Sequence, residues 1–214
     1  FKANASKIDI FAPQSYTVDS KLGIKGKVSK EALNIASENK VRVMPLVVNS
    51  GFSQKIIHNL LASSTAQDTI ISFLVSEAKD KNFVGWQFDF EHISYLDRQK
   101  YTEFVKKTYF EFQKNNLILS IAAVARKNEK LSSFYKNWSG AFDYKELAKY
   151  TDFISIMTYD DPNSLGPASS LPYAKGILDY LSDKIPGNKL SLGIPFYYWN
   201  WNIDSWERIV SGGT

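Results

Sequence analysis

The chain has 214 residues, of which 44% are hydrophobic and 22% are charged, and its formal net charge is +4. This length and composition fit one sizeable globular domain, and the scattering of lysine and arginine without basic blocks argues against nucleic-acid binding. Because the sequence lacks cysteine and any apolar run near the roughly 18 residues of a membrane span, it excludes a disulfide framework, a thiolate metal site and a transmembrane helix.

The first 81 residues alternate strand and helix patterns. β-Branched and aromatic runs predict strands, amphipathic runs predict helices, and Ser29 is a candidate N-cap. In order, the predicted elements are a strand at Ile8–Ala12, a polar loop at Pro13–Gly26, a helix at Ser29–Lys40, a strand at Val41–Val48, and helices at Ser53–Ser63 and Thr65–Lys81.

The next stretch, Asn82–His92, predicts a strand with two chemically different faces, because successive side chains of a strand alternate sides. The polar face carries Gly85, Gln87, Asp89 and Glu91, and the aromatic face carries Trp86, Phe88 and Phe90. Helices on either side of a strand cover its outer face, so we expect the polar row to look inward. A buried carboxylate is costly unless it is used, which makes Asp89 and Glu91 the first functional candidates.

The rest of the chain continues the alternation. It predicts a helix at Asp97–Lys114, a strand at Leu117–Val124, an irregular loop at Arg126–Gly140, a short helix at Asp143–Lys149, a strand at Asp152–Thr158, a helix at Leu171–Lys184 and a strand at Leu190–Pro195. Strands that alternate with helices are typical of βαβ units in a parallel sheet. The whole sequence therefore predicts six strands in one α/β domain.

The acidic strand resembles the Asp-Gly-x-Asp-x-Asp-x-Glu signature of family 18 glycoside hydrolases, the chitinases and their relatives. Gly85, Asp89 and Glu91 match that pattern, whereas Val84 and Gln87 stand where the family has its first two acids. Val84 lies roughly 23 Å from Glu91 at about 3.3 Å per residue, so we interpret its loss as structural. Gln87 shares the acidic face, where its neutrality removes a negative neighbour from Asp89 and allows a hydrogen bond to it.

Two later segments carry the same resemblance. Ile156–Asp160 is similar to the family's Met-x-Tyr-Asp, and Leu192–Tyr197 is similar to its Gly-Ile-Pro-x-Tyr. The resemblance implies a TIM (β/α)8 barrel in which Ile8–Ala12 is the second strand and Leu190–Pro195 the seventh. We therefore expect residues 1–214 to form a single catalytic domain that is a fragment, with the first and eighth strands outside this chain.

The resemblance also implies a substrate-assisted reaction on β-linked N-acetylglucosamine glycans. It assigns Glu91 as the general acid/base, Asp89 as the partner of the acetamide N–H, and Tyr159 as the donor to the acetamide oxygen. The expected substrate-binding residues are Gln87, Met157, Asp160, Tyr197 and Trp199. No cofactor is implied.

Each assignment has a plainer alternative. Asp89 or Glu91 could be a salt-bridged residue at a strand end, and Tyr159 could be a packed barrel residue. The C-terminal aromatic residues could stack on sugar rings or pack under loops; they are Tyr197, Tyr198, Trp199, Trp201 and Trp206. His58 and His92 have no neighbouring ligand residues in the sequence, so no metal site is predicted.

Two classes of function follow. The first is a retaining hydrolase acting on chitin, chito-oligosaccharides, peptidoglycan or an N-glycan core, and the second is a lectin-like relative that binds sugar without cleaving it. The presence of both Asp89 and Glu91 favours the enzyme. We expect a monomer that acts outside the cytoplasm or in the cell envelope, with a glycan and no nucleic acid as its partner.

Overall fold

The computed structural model describes residues 1–161, 166–201 and 208–211. Its α-helices are α1 (Lys30–Glu38), α2 (Gln54–Ala62), α3 (Ser64–Lys81), α4 (Arg98–Lys114), α5 (Tyr144–Leu147) and α6 (Leu171–Leu181). Short 3-10 turns cover Lys2–Lys7, Ser50–Phe52, Tyr95–Asp97, Ala148–Tyr150 and Gly187–Lys189, and a π-helical turn covers Tyr135–Ser139. The predicted helices are thus confirmed, and the Ser29 side chain caps α1 by accepting a hydrogen bond from the Ala32 N–H.

The strands are β1 (Ile10–Phe11), β2 (Gln14–Val18), β3 (Ile24–Gly26), β4 (Arg42–Val43), β5 (Leu46–Asn49), β6 (Gly85–Asp89), β7 (Ile118–Val124), β8 (Phe153–Met157), β9 (Leu190–Leu192), β10 (Tyr198–Trp201) and β11 (Arg208–Ser211). Seven of them form one sheet in the order β3-β2-β5-β6-β7-β8-β9. All neighbours from β2 to β9 are parallel, while β3 runs antiparallel to β2. The predicted parallel sheet is confirmed.

Proline interrupts the predicted strand Val41–Val48, and a second proline separates the predicted strand Ile8–Ala12 from β2. β1 pairs with β4 and β2 pairs with β5, and Pro13 and Pro45 lie at the two breaks. The ladder continues across them, because the Met44 N–H donates to the Phe11 carbonyl and the Leu46 N–H to the Pro13 carbonyl. Proline lacks an N–H and so cannot donate at these points.

The prediction that Pro13–Gly26 is a loop is wrong. The segment holds the hairpin of β2 and β3, in which Tyr16 and Val18 are buried while the residues between them are less so. Ser15 and Thr17 alternate with Tyr16 and Val18 in the period of a half-buried strand, but the run is only five residues long and is followed by polar residues. Gly26 is required by close packing, since a Cβ there would lie 2.0 Å from the Ser15 carbonyl oxygen.

Among the described residues, no pairing joins β9 to β3, so the sheet is not closed there. A closed barrel is therefore not observed in the described residues. The antiparallel pairing of β10 with β11 was not predicted. In the described ranges, no helix combines the length and apolarity needed to cross a membrane.

The aromatic face of β6 packs outward against helices, as the alternation predicts. The Trp86 indole donates to the Leu74 carbonyl of α3 at 3.0 Å, and the Phe88 ring stacks on Phe104 of α4 with centroids 5.4 Å apart. All five residues of β6 are buried. This packing turns the polar face of β6 to the side of the sheet that faces away from α3 and α4. Its acids lie at the C-terminal end of the parallel strands.

Candidate active site

The two predicted acids lie at the C-terminal end of β6. Asp89 is the last residue of the strand and is 7% exposed, and Glu91 follows two residues later, half-buried. Glu91 reaches a cavity that also holds Tyr159 and Asp160 from the segment after β8. The structure therefore brings together predicted residues that lie 68 or more positions apart in the chain.

The backbone at Glu91 is fixed by Asn49, the last residue of β5, which sequence reasoning missed. The Asn49 Oδ1 accepts from the Glu91 N–H at 3.1 Å, and its Nδ2 donates to the Glu91 carbonyl and the Ser53 carbonyl, both at 3.1 Å. Asn49 is 1% exposed. A buried amide with these partners holds the loop after β6 against the loop after β5.

Gln87 is tied to the neighbouring strands and not to Asp89. Its Nε2 donates to the hydroxyls of Ser120 at 2.8 Å and Ser155 at 3.1 Å. Both amide hydrogens are used in this way, so the expected hydrogen bond from Gln87 to Asp89 is wrong. The Gln87 side chain is not part of the described wall of the cavity.

Burial sets the electrostatics of the acids. It raises the pKa of Asp89 to about 6. Burial also raises the pKa of Glu91 to about 7, with further contributions from the carboxyl groups of Asp89 and Asp160. The Asp89 Oδ1 is buried and accepts no hydrogen bond from any residue in the described ranges. Near neutral pH the pair therefore favours one proton, held preferentially by Glu91.

The segment after β8 supplies a tyrosine and a third acid. Burial, followed by the charges of Asp89 and Glu91, raises the pKa of Tyr159 to about 12, which keeps its hydroxyl protonated. Asp160 adopts a left-handed backbone with φ 56°. Its Oδ2 accepts from the Tyr197 hydroxyl at 2.5 Å, and its Oδ1 is buried without a partner among the described residues.

The C-terminal aromatic residues form a layer behind Asp160. The ring centroids of Tyr159 and Tyr197 are 6.2 Å apart, and those of Tyr197 and Trp199 are 5.4 Å apart, both edge-on. The structure thus places Tyr197 and Trp199 beside the site but does not put them on the described cavity wall. Tyr198 is 56% exposed. Trp206 and the side chain of Trp201 lie outside the described part of the chain.

The cavity has a volume of about 270 Å³. Its lining residues are Glu91, Val124, Ala125, Phe134, Trp138, Met157, Tyr159, Asp160 and Tyr173. Three of its aromatic residues were not predicted as site residues, namely Phe134, Trp138 and Tyr173. One face of the Trp138 ring stacks on His92, with centroids 4.6 Å apart and planes 12° apart. The four-residue spacing of Phe134 and Trp138, after a strand that ends at the site, is the signal that could have found them.

Comparison with known proteins gives one family. The model of the family described as Glycosyl hydrolases family 18 matches residues 6–208. The chain is 24% identical over 204 residues to the uncharacterized glycosylase YvbX of Bacillus subtilis, covering 92% of this chain and 58% of that protein. It is 26% identical over 169 residues to the cortical fragment-lytic enzyme of Bacillus subtilis, covering 78% and 38%.

Solved structures agree in fold. The spore cortex-lytic enzyme SleL of Bacillus megaterium superposes with a TM-score of 0.85 at 25% identity, covering 98% of this chain and 49% of that one. A chitinase from Chromobacterium violaceum gives a TM-score of 0.82 at 24% identity, covering 93% and 64%. These neighbours imply a TIM-barrel-like α/β fold. The chain spans about half the length of the relatives that it matches.

Proposed function

Because this chain belongs to the glycosyl hydrolases of family 18, we propose that it hydrolyses β-linked N-acetylglucosamine glycans with retention of configuration. The observation that carries this proposal is the convergence of Glu91, Tyr159 and Asp160 on one cavity, with Asp89 buried beside Glu91. Candidate substrates are chitin, chito-oligosaccharides, peptidoglycan and an N-glycan core. Chitinases and spore cortex-lytic enzymes among the similar proteins support this range.

The proposed route is substrate-assisted. The acetamide oxygen of the bound sugar attacks its own anomeric carbon while Glu91 protonates the departing glycosidic oxygen, which forms a cyclic oxazolinium ion. Glu91, now a carboxylate, takes a proton from water, and the resulting hydroxide equivalent opens the ring at the anomeric carbon. The two inversions give net retention. A pKa of about 7 suits Glu91 to give and take this proton near neutral pH.

Asp89 is assigned to the acetamide N–H. Its buried Oδ1 is an acceptor without a partner in the described part of the chain, and an ionised carboxylate there would offset the positive charge that develops on the acetamide nitrogen. Burial raises the pKa of Asp89 to about 6, below the value for Glu91. A window near pH 6 to 7 therefore exists in which Asp89 is ionised and Glu91 is protonated.

The remaining predicted residues position the sugar. The Tyr159 hydroxyl donates to the acetamide oxygen and orients it for attack. Asp160 accepts from a sugar hydroxyl through its Oδ1, to which no described residue donates, while Tyr197, backed by Trp199, holds the other carboxylate oxygen. Met157 contributes apolar wall to the cavity. Gln87 acts indirectly, because its hydrogen bonds hold β6 to β7 and β8.

We also propose that residues 1–214 belong to one catalytic barrel and supply its second to seventh strands. Parallel pairing from β2 to β9 and the TIM-barrel-like neighbours support this arrangement. Because all the assigned catalytic groups come from a single chain, the unit is proposed to act as a monomer. Cortex-lytic enzymes among the relatives support action outside the cytoplasm or in the cell envelope.

A fluorogenic chitobioside assay on a protein that includes the flanking barrel sequence tests the proposal. Wild type should release the fluorophore, and Glu91→Gln should lower kcat by at least about 10³-fold while oligosaccharide binding persists. Retention is checked by NMR of the first anomer released. Binding without turnover of any N-acetylglucosamine glycan by wild type would contradict the enzyme and favour the lectin-like alternative.

A further inference from the structure

A second depression adjoins the catalytic cavity and continues it along the surface. It has a volume of about 530 Å³ and shares Ala125, Phe134 and Tyr173 with the cavity wall. We name it the basic groove. A glycan chain is longer than one sugar, so a groove that opens from the catalytic cavity is where a neighbouring sugar would lie.

The basic groove and the catalytic cavity carry opposite charges. The described wall of the groove has three cations, Arg126, Lys127 and Lys130, against one acid, Asp161. The wall of the catalytic cavity has the acids Glu91 and Asp160 and no described cation. The Arg126 guanidinium is paired with the Glu129 carboxylate at 2.9 Å, so Lys127, Lys130 and Asp161 set the net charge of the groove. The groove is therefore net positive, whereas the catalytic cavity is net negative.

Arg126 belongs to the floor of the groove. Its guanidinium donates to the carbonyls of Ser139 and Phe142, at 2.5 and 2.9 Å, and to the carboxylate of Glu129. The guanidinium carbon also lies 4.4 Å from the ring centroid of Tyr144. These contacts use its donors within the protein, so Arg126 is not the group that meets a ligand.

Lys127 and Lys130 are the cations available to a ligand. The Lys127 stem passes over Gly176, where a Cβ would lie 3.0 Å from its Cδ. Its ammonium lies 4.9 Å from the Tyr173 ring centroid and 3.8 Å from Asp161, a distance that leaves donors free. Lys130 is exposed, and in the described part of the chain no acid lies within 4.0 Å of its ammonium.

We propose that the basic groove binds a carboxylate on the sugar next to the cleaved N-acetylglucosamine, so that the chain prefers an acidic glycan to a neutral one. This rests on the proposed function. A carboxylate in the catalytic cavity would face the acids Glu91 and Asp160, whereas in the groove it faces two ammonium groups and one acid, Asp161. The charge distribution thus selects the substrate class and fixes which sugar enters the catalytic cavity.

The test compares one polymer with and without its charge. Peptide-free peptidoglycan strands, in which every second sugar carries a lactyl carboxylate, are used native or after amidation of that carboxylate. Wild type at low salt should show a kcat/KM ratio of native to amidated strand of about 10, falling at high salt because the lysines are exposed. The Lys127→Gln/Lys130→Gln double variant should bring the ratio close to about 1.

Two further variants make the test specific. Lys130→Glu changes the charge of the groove by −2, as the double variant does, and should likewise bring the ratio close to about 1. Lys79→Gln, on α3 far from the groove at the opposite end of the strands, should leave the ratio unchanged. A wild-type ratio near one, or a ratio that the double variant does not alter, overturns the proposal.

Failure of the groove and failure of the catalytic assignment are separable. Turnover of the neutral chitobioside with no preference for native strands refutes the groove alone. If wild type cleaves nothing, calorimetric binding of the native and amidated strands still tests the groove, and equal affinities refute it.

Discussion

The Tyr159 ring occupies the space that a side chain on Gly193 would need. A Cβ at Gly193 would lie 2.6 Å from the Tyr159 Cε1 and 2.9 Å from the Ile156 carbonyl oxygen. The same glycine donates its N–H to the Ile156 carbonyl and accepts from the Thr158 hydroxyl. The motif at 192–197 therefore needs glycine at position 193 to leave room for Tyr159 of the motif at 156–160.

Gly193→Ala should displace Tyr159 and lower kcat. The ring cannot yield without moving its hydroxyl, and a shift of about 1 Å at a positioning group can cost about 10²-fold in rate. The measurement is kcat and KM on a chitobioside. Gly187→Ala is the matched control, because a Cβ there meets nothing within 4 Å. Equal kcat for the two variants would contradict the positioning role of Tyr159.

The pH dependence of kcat/KM should be bell-shaped with a maximum between the two carboxyl pKa values. Activity needs Asp89 ionised, with its pKa about 6, and Glu91 protonated, with its pKa about 7. Asp160→Asn removes one of the charges that raise the pKa of Glu91. Its alkaline limb should therefore move to lower pH, and an alkaline limb that moves upward would contradict this assignment.

Gln87→Asp should move the acidic limb to higher pH. A carboxylate at position 87 would lie two residues before Asp89, on the same face of β6. A like charge raises the pKa of its neighbour, here by roughly 0.5 to 1 unit. Gln87→Asn is the control, since it shortens the side chain and weakens the bonds to Ser120 and Ser155 without adding charge. An acidic limb that is the same in both variants refutes the coupling.

Local patterns were enough to predict the inward polar face of β6. Its aromatic side packs on helices that precede and follow it in the chain, so the alternation of Asp89 and Glu91 with aromatic residues has one consistent interpretation. The motifs at 156–160 and 192–197 then predicted which strand ends converge with it. The catalytic roles of these residues remain predictions.

Contacts between distant segments were not predictable in the same way. Asn49 bonds Glu91 across 42 positions, and nothing in its local sequence marks that partner. Trp138 reaches the cavity because the chain after β7 folds back onto His92. Only tertiary packing determines these neighbours, so periodicity cannot reveal them.

Asn49→Ala should impair both stability and catalysis. The change leaves the Glu91 N–H and carbonyl without their buried partner, which costs about 1 to 3 kcal/mol in the free energy of unfolding. It also frees the backbone that aims Glu91, so kcat should fall more than KM rises. Asn39→Ala, at the exposed end of α1, is the control for loss of an amide hydrogen bond. A normal kcat in a destabilised Asn49→Ala protein would refute the aiming role.

Asp89→Asn should stabilise the fold at neutral pH while it lowers kcat. Burial raises the pKa of Asp89 from 3.8 to about 6, so the folded state binds this proton more tightly than the unfolded state does. Stability is therefore lost as pH rises from about 4 through about 6, and the penalty is complete above that window. Asparagine cannot ionise, so the variant should gain about 1 to 3 kcal/mol at pH 8 and much less at pH 4. Urea unfolding at both pH values measures the gain. An equal gain at the two values would mean that ionisation of Asp89 is not its source, and would remove the electrostatic argument that divides the roles of Asp89 and Glu91.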